Sequence, residues 1–296
     1  MKAVRFHEYG DPGVLRHEDV DRPVPGAGQV RIRVAATSFN PVDANIRGGF
    51  MRGPIPVELP HTPGIDVAGT VDALGEGVTG FEDGAEVVGF LPMDKPGAAA
   101  EYVLAPAEVL TAAPKSVPLA DAAALPLVGL TAYQALFEHG KVAAGQRVLV
   151  NGARGAVGGY AVQLAGNAGA DVIAVGRSTA DVPSVVTEPV DLVLNLAPVT
   201  PEQLAALVPL IRPGGVLVNT TVWMPAPGDA DRDVRGIDLF VRSDAGRLAE
   251  LAGQVDRGEL RIDVAERVPL AELPSLHARA AAGGVHGKVV VVPETA

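Results

Sequence analysis

Cysteine is absent from this 296-residue chain. That single absence excludes disulfides, thiolate nucleophiles and cysteine-ligated zinc or iron–sulfur centres. Positive charge is also scarce: 24 Lys and Arg stand against 35 Asp and Glu, a formal charge of −11. No dense Lys/Arg run compensates, so phosphate-rich partners, nucleic acid and anionic membrane alike, are not expected. The opening MKAVRFHEYG lacks the apolar core of a signal peptide. The longest apolar stretch, LADAAALPLVGLTAYQALF, is interrupted by Asp121, Pro126 and Gly129 and reads as soluble packing rather than a membrane span. A cytoplasmic location is the expectation. No repeat and no low-complexity tail stands out. What is plentiful is apolar residues, 48% of the chain, enough for a packed core at a length that suits two domains.

The first 115 or so residues read as β. QVRIRVAATS alternates Val30, Ile32 and Val34 on one face with Arg31 and Arg33 on the other, the period of a half-buried strand. PGIDVAGTVDALGEGVTGFEDGAEVVGF sets short Val-rich runs between Gly turns, as a small antiparallel barrel would. From about residue 120 the pattern changes. ADAAALPLVGLTAYQALFEHG is helix-like, and RVLV, DVIAV, VDLVLNL, VLVNT and IDLFV then alternate with helical stretches. Such alternation predicts a parallel sheet with helices on both faces. TPEQLAALVPLIRPGG reads as a crossover helix, capped by Thr200, opened by Pro201 and ended by Gly214 and Gly215. GKVVVVP returns to strand near the end.

NGARGAVGG lies between the strand RVLV and the helix-like YAVQLAGNAGA. Strand, glycine turn and helix in that order form a dinucleotide fingerprint: glycine permits the tight turn and the close approach of a pyrophosphate, and the helix N-terminus offers free N–H groups. Ala153, Gly155 and Gly158 take the three fingerprint positions, with Gly152 one residue earlier and Ala156 and Val157 between. Val157, Ala161, Leu164, Ala165 and Ala168 share one helix face. The plainer alternative is a tight strand–helix turn with no ligand; the alternating context favours nucleotide binding. An NAD site usually has Asp or Glu at the end of the next strand. Here that strand ends in Gly176, Arg177 and Ser178, where a cation and a hydroxyl suit a 2′-phosphate, and so NADPH. A solvated surface arginine is the alternative for Arg177.

The segments SFNPVDANIRGG, PGIDVAGTVDALGEGV, AAALPLVGLTAYQAL, VLVNGARGAVGGYAVQLA, IRPGGVLVNT and GKVVVV together resemble the zinc-independent medium-chain dehydrogenase/reductases of the quinone oxidoreductase (zeta-crystallin-like) branch, over nearly the whole chain. The resemblance implies an α/β protein with a GroES-like β-barrel domain (1–118 and 260–296) and a Rossmann doubly wound parallel sheet (119–259), reaction occurring in the cleft between them. Where zinc-dependent relatives carry Cys and His ligands, this chain has Asn40 and Ile65, so no metal is expected. His61 nearby reads as structural, and Asp66 as part of the barrel floor. Without a Lewis acid, a quinone or an α,β-unsaturated carbonyl is the fitting acceptor, because delocalisation takes up the developing charge. The resemblance puts Asn40 near substrate or nicotinamide, Thr131 on the nicotinamide side, and Asn195, Asn219 and Lys288 along the cofactor groove. It makes Arg47 or Tyr133 the group that orients a carbonyl, with the proton drawn from water. Each has a plainer reading: Asn40 a turn residue before Pro41, Asp43 a cap, Tyr133 core, Trp223 packing rather than a substrate or dimer surface.

One helix and one strand of the family pattern are missing. Only residues 176–189 join VIAV to VDLVLNL, and Pro183 and Pro189 oppose a full helix there. Fourteen extended residues reach about 46 Å, ample for a crossing of about 20 Å. In the order 3-2-1-4-5-6 the lost strand is an outer edge, leaving five. The short joint fits a natural connection and an omitted segment equally. The functional expectation is NADPH-dependent hydride transfer to a quinone, with an enone or enoyl reductase as the alternative and a non-catalytic binder as the second. A homodimer is expected through pairing of GIDLFV with its twofold mate.

Overall fold

The computed structural model describes residues 1–176, 182–221 and 224–294. The chain forms two compact units, Met1–Leu127 with Ser243–Ala296, and Val128–Arg242. These borders differ from those expected at 118/119 and 259/260, for a physical reason. Helix α7 (Ala245–Asp256) packs on strands of the first unit. Its Asp256 carboxylate accepts from the N–H groups of Lys115 at 2.7 Å and Ser116 at 2.8 Å. Leu127 N–H likewise donates to Asp66 at 2.7 Å, holding the start of α3 (Pro126–Tyr133) to the first unit.

In the first unit, β1 (Lys2–Phe6) and β2 (Leu15–Asp19) form an antiparallel pair. The GroES-like sheet contains β3 (Gln29–Ser38), β4 (Asp66–Leu74), β5 (Glu86–Phe90), β6 (Tyr102–Pro106), β7 (Leu110–Ala112), β13 (Val264–Pro269) and β14 (Lys288–Val292). Its order is β13-β14-β3-β4-β5-β7, with β6 also on β3. The ten-residue β3 has three partners because β6 pairs with its first five residues and β14 with Thr37 and Ser38, while β4 runs along most of its length; its register shifts twice against β4, and such bulges bend a sheet on itself. Val30, Ile32 and Val34 point inward with Val67, Val71, Val87 and Leu110, as their alternation predicts. Each buried side chain of this size contributes about 1.5–3 kcal/mol. Helices α1 (Pro41–Arg47), α2 (Leu119–Ala122) and α8 (Leu273–Ala281) belong to the same unit.

The second unit is a five-stranded parallel sheet of order β12-β11-β10-β8-β9. Its strands are β8 (Arg147–Asn151), β9 (Asp171–Val175), β10 (Val190–Asn195), β11 (Ile211–Asn219) and β12 (Arg235–Asp238). This is the Rossmann order without its outermost strand, as the short joint predicts. That joint holds only the four-residue α5 (Val182–Val185) among its described residues. Helix α4 (Ala156–Asn167) buries Tyr160, Ala161, Leu164 and Ala165, while Val157 and Ala168 stay half-exposed.

The expected helix from 201 is shorter. Helix α6 (Pro201–Ala205) keeps its capping box: Thr200 Oγ1 accepts from Gln203 N–H at 3.3 Å and Gln203 Oε1 from Thr200 N–H at 2.9 Å. Pro209 has no N–H to donate and its ring opposes the carbonyl four residues back, so the α-helix ends there. Gly214 and Gly215 then lie inside β11 rather than at a helix end. The last strand covers Arg235–Asp238, short of Phe240, whose side chain is exposed.

Candidate cofactor cradle and polar cluster

In the second unit the glycine segment leaves the end of β8 with Gly152 at φ +96°, a conformation that disfavours side chains. Gly152 and Ala153 N–H both donate to Val175 O, at 3.0 and 2.8 Å, fastening the turn to the end of β9. Gly155 is the N-cap of α4 and no side chain caps that helix. A Cβ at Gly158 would lie 2.4 Å from Gly152 O and 2.6 Å from Ala153 Cα, so only glycine lets helix and turn meet this closely. The result is a bare backbone cradle at the carboxyl edge of a parallel sheet, with helix N–H groups turned toward it, suited to a diphosphate.

Three strands end on the same residue type. Asn151, Asn195 and Asn219 are in register on β8, β10 and β11, with Asp238 beside them on β12. Asn151 Nδ2 donates to Asn195 Oδ1 at 2.8 Å, and Asn195 Nδ2 to Asn219 Oδ1 at 3.0 Å. Asn219 Nδ2 donates to Thr221 O, Met224 O and the Asp238 carboxylate, the last at 3.3 Å. Because a carboxylate and carbonyls only accept, they fix the Asn219 amide, and each amide then fixes the next. The row terminates at Asn151 Oδ1, which is buried and has no hydrogen-bond partner among the described residues. Sequence reading placed Asn195 and Asn219 here but missed Asn151 and Asp238. The signal was present: VLVN, VLN and VLVN each end a buried strand in asparagine.

In the first unit a buried polar cluster joins β3, β4 and β14. Asp66 accepts from Ser38 Oγ, from Asn40 Nδ2 at 2.8 Å and from Leu127 N–H at 2.7 Å. Lys288 Nζ lies 3.3 Å from Asp66 Oδ2 and donates to Asn40 Oδ1 at 2.5 Å. Burial lowers the Lys288 pKa, with Asp66 opposing. Asp43, at the first turn of α1, accepts from Gly64 N–H at 2.9 Å and Asn40 N–H at 3.1 Å. Burial pushes its carboxyl up to about 7. Asn40 and Lys288, expected near substrate and cofactor, are thus bound to each other and enclosed, at 1% and 3% exposure.

The other expected residues are placed as follows. Arg47 is buried, its Nη1 3.5 Å from His277 Nδ1 and its Nε without a partner among the described residues. His277 is held down to about 3, chiefly by burial and then by Arg47, and packs edge-on to Phe39 at 4.9 Å. His61 is buried with its ring 5.3 Å from Phe6, and burial lowers its pKa to about 4. Thr131 is buried in α3, and Tyr133 is half-buried with its ring 4.9 Å from Phe137. Ala153, Ala156, Val157 and Gly176 are half-buried, Gly155 exposed, Gly152 and Gly158 buried. Arg177, Ser178 and Trp223 lie outside the described residues.

Residues 26–115 match the family described as alcohol dehydrogenase GroES-like domain, and residues 168–291 the family described as zinc-binding dehydrogenase. A quinone oxidoreductase of Lama guanicoe is 42% identical over 167 residues, 56% of this chain and 49% of that protein. The chloroplast envelope quinone oxidoreductase homolog of Arabidopsis thaliana is 40% identical over 183 residues, 59% of this chain and 55% of that one. The chain thus spans about half the length of the curated relatives it matches. Among solved structures, the quinone oxidoreductase from Coxiella burnetii aligns at TM-score 0.86 and 28% identity over 99% of both chains. An NAD-dependent alcohol dehydrogenase aligns at 0.87 and 27%, and the CurK enoyl reductase at 0.83 and 26%, each over 99% of both chains.

The zinc that one family description implies does not fit the residues present. A metal at the Asn40 position would meet the Lys288 ammonium, and Ile65 offers only buried hydrocarbon. Among the described residues no group of three or more His, Cys, Asp or Glu could hold a metal ion. Nor, among them, is any helix long and apolar enough to cross a membrane. The barrel sheet, the five-stranded parallel sheet with its glycine cradle, and both family matches agree: the chain belongs to the medium-chain dehydrogenase/reductase family.

Proposed function

We propose that the protein is an NADPH-dependent oxidoreductase that reduces a quinone-type acceptor without a metal ion. The observation that carries this reading is the cradle at Gly152–Gly158, built so tightly that a Cβ at Gly158 would strike Gly152 O at 2.4 Å, beside β9, which is followed by Gly176 rather than an acid. NADPH, when bound, supplies the hydride. The backbone of Gly152, Ala153, Gly155, Ala156, Val157 and Gly158 binds the diphosphate, helped by the N-terminus of α4. The absence of Asp or Glu at Gly176 removes the acceptor for a ribose 2′-hydroxyl and spares a 2′-phosphate repulsion; Arg177 and Ser178 are proposed to meet that phosphate.

Thr131, Asn195 and Asn219 line the nicotinamide side, the asparagines with orientations set by their hydrogen-bonded row. Asn40 is assigned to act near the substrate from within the buried cluster, where Lys288 and Asp66 hold its amide. Either Tyr133, half-buried, or Arg47, enclosed beside His277, is assigned to orient the acceptor carbonyl. Water delivers the proton. Likeness to the CurK enoyl reductase favours a second reading, reduction of an enone. A homodimer through the β12 edge is also proposed, and a clean monomer by light scattering would remove it.

The test is a paired titration with NADPH and NADH by nicotinamide fluorescence, followed by turnover with a quinone and an enone. Tighter NADPH binding and a hydroquinone product are expected. A saturated ketone as the preferred product selects the enone reading, and NADH preference refutes the NADPH assignment. Binding without oxidation of NADPH by any acceptor indicates a non-catalytic binder.

A further inference from the structure

We infer that Arg154, inside the glycine segment itself, is a further cation that receives the adenosine 2′-phosphate and strengthens the preference for NADPH. The inference deepens the NADPH reading and rests on it. Arg154 is one residue before the N-cap Gly155, in a turn fastened to Val175 O by two N–H groups at 3.0 and 2.8 Å. Its backbone therefore sits beside the end of β9, where the ribose of a bound dinucleotide is recognised. The side chain follows: a Cβ built on Gly176 would lie 3.5 Å from Arg154 Cδ and 3.6 Å from Nε. The arginine stem thus lies over the bare face of Gly176.

That geometry makes the two residues one device. An Asp or Glu at 176, the usual partner of a free ribose hydroxyl, would start from the space that Arg154 Cδ and Nε adjoin. With glycine there, a cation takes the place of the acid. A guanidinium suits a phosphomonoester, which it can grip through two parallel N–H···O bonds.

The charge of Arg154 is also uncommitted among the described residues. It is exposed and makes no ion pair or hydrogen bond with another of them. In the same unit Arg147, Arg212, Arg232 and Arg242 each hold a carboxylate. In a chain of net charge −11, an exposed arginine beside a helix N-terminus is a local concentration of positive potential. The helix end serves the diphosphate and Arg154 serves the second anion, so the two contributions separate in binding.

The experiment compares wild type, Arg154→Gln and Arg154→Lys, each folded by circular dichroism. Affinities for NADPH and NADH are taken from fluorescence, and those for adenosine 2′-monophosphate and 5′-monophosphate from competition, so no turnover is needed. Arg154→Gln should weaken NADPH and the 2′-monophosphate about tenfold to hundredfold and leave NADH and the 5′-monophosphate within about twofold. Arg154→Lys should recover part of the loss, and added salt should weaken NADPH more in wild type than in Arg154→Gln. Equal losses for both dinucleotides, or no loss, overturn the assignment while leaving the NADPH reading intact. A wild type that binds neither, or prefers NADH, overturns both.

Discussion

Replacing Lys288 by methionine tests the buried cluster most directly. Methionine preserves most of the aliphatic stem, so the change removes charge and donors with little change in volume. Lys288 and Asp66 are 3% and 0% exposed in their side chains and 3.3 Å apart. Deleting one member of such a pair costs about 3–5 kcal/mol, because the other charge stays buried. Asp66 keeps Ser38, Asn40 and Leu127 as donors, which argues for the lower end, about 3 kcal/mol. Asn40 Oδ1 loses a 2.5 Å donor as well, which sets a floor near that value. For a unit of this size the loss corresponds to a fall in Tm of roughly 6–12 °C. Guanidinium unfolding would be followed by circular dichroism and by tryptophan fluorescence. The double variant Lys288→Met/Asp66→Asn, which removes both charges, should be more stable than Lys288→Met alone. A Lys288→Met protein within about 1 kcal/mol of wild type, or a double variant less stable than the single, refutes the account of a buried, mutually dependent pair.

Burial raises the Asp43 carboxyl to about 7 in the fold, so its stabilising effect is present at low pH and is lost as pH rises from about 4 to about 7. His277 and His61 are depressed to about 3 and about 4, so their contribution is present above about pH 6.5 and is lost as pH falls through those values. Asp43→Asn should therefore show stability rising more steeply with pH than wild type across that window; parallel urea-midpoint profiles would refute the assignment. Gly158→Ala should shift the cradle, destabilise by about 1–3 kcal/mol and weaken NADPH at least about tenfold; unchanged titration and Tm would show that the 2.4 Å approach to Gly152 O is not limiting. Asn195→Leu, similar in size, strands Asn151 Nδ2 in the interior and should cost about 1–3 kcal/mol by denaturant unfolding; a neutral result would show that the row adds nothing to stability.

Elements that declare themselves locally were legible in the sequence. The alternation in QVRIRVAATS marks β3 and its inward face. The brevity of residues 176–189 foretells a sheet lacking one edge strand. Helix α6 was overextended because hydrophobic period outweighed Pro209. The placement of α7 was unreadable for a different reason: an amphipathic face shows that a helix buries one side, not which strands it buries it against. The same distinction governs the sites. The glycine cradle follows from contiguous residues. Asn40, Asp66 and Lys288 meet only because β14 and β4 both pair with β3. Arg154 is an ordinary surface arginine until Gly176 is seen beneath its side chain.

The place of β9 at the rim of the second unit has a consequence for how such a sheet can gain or lose material. A central strand such as β10 is bonded on both sides, so its removal would break two ladders and leave its neighbours too far apart to pair. A rim strand takes one ladder with it, and the remaining register is untouched. Parallel sheets of this kind are therefore modular at the margin and indivisible in the middle. The rim beside β9 is where a helix and strand from a longer relative could be spliced in without re-registering β8, β10, β11 or β12, and the joint at residues 176–189 is the natural place to cut.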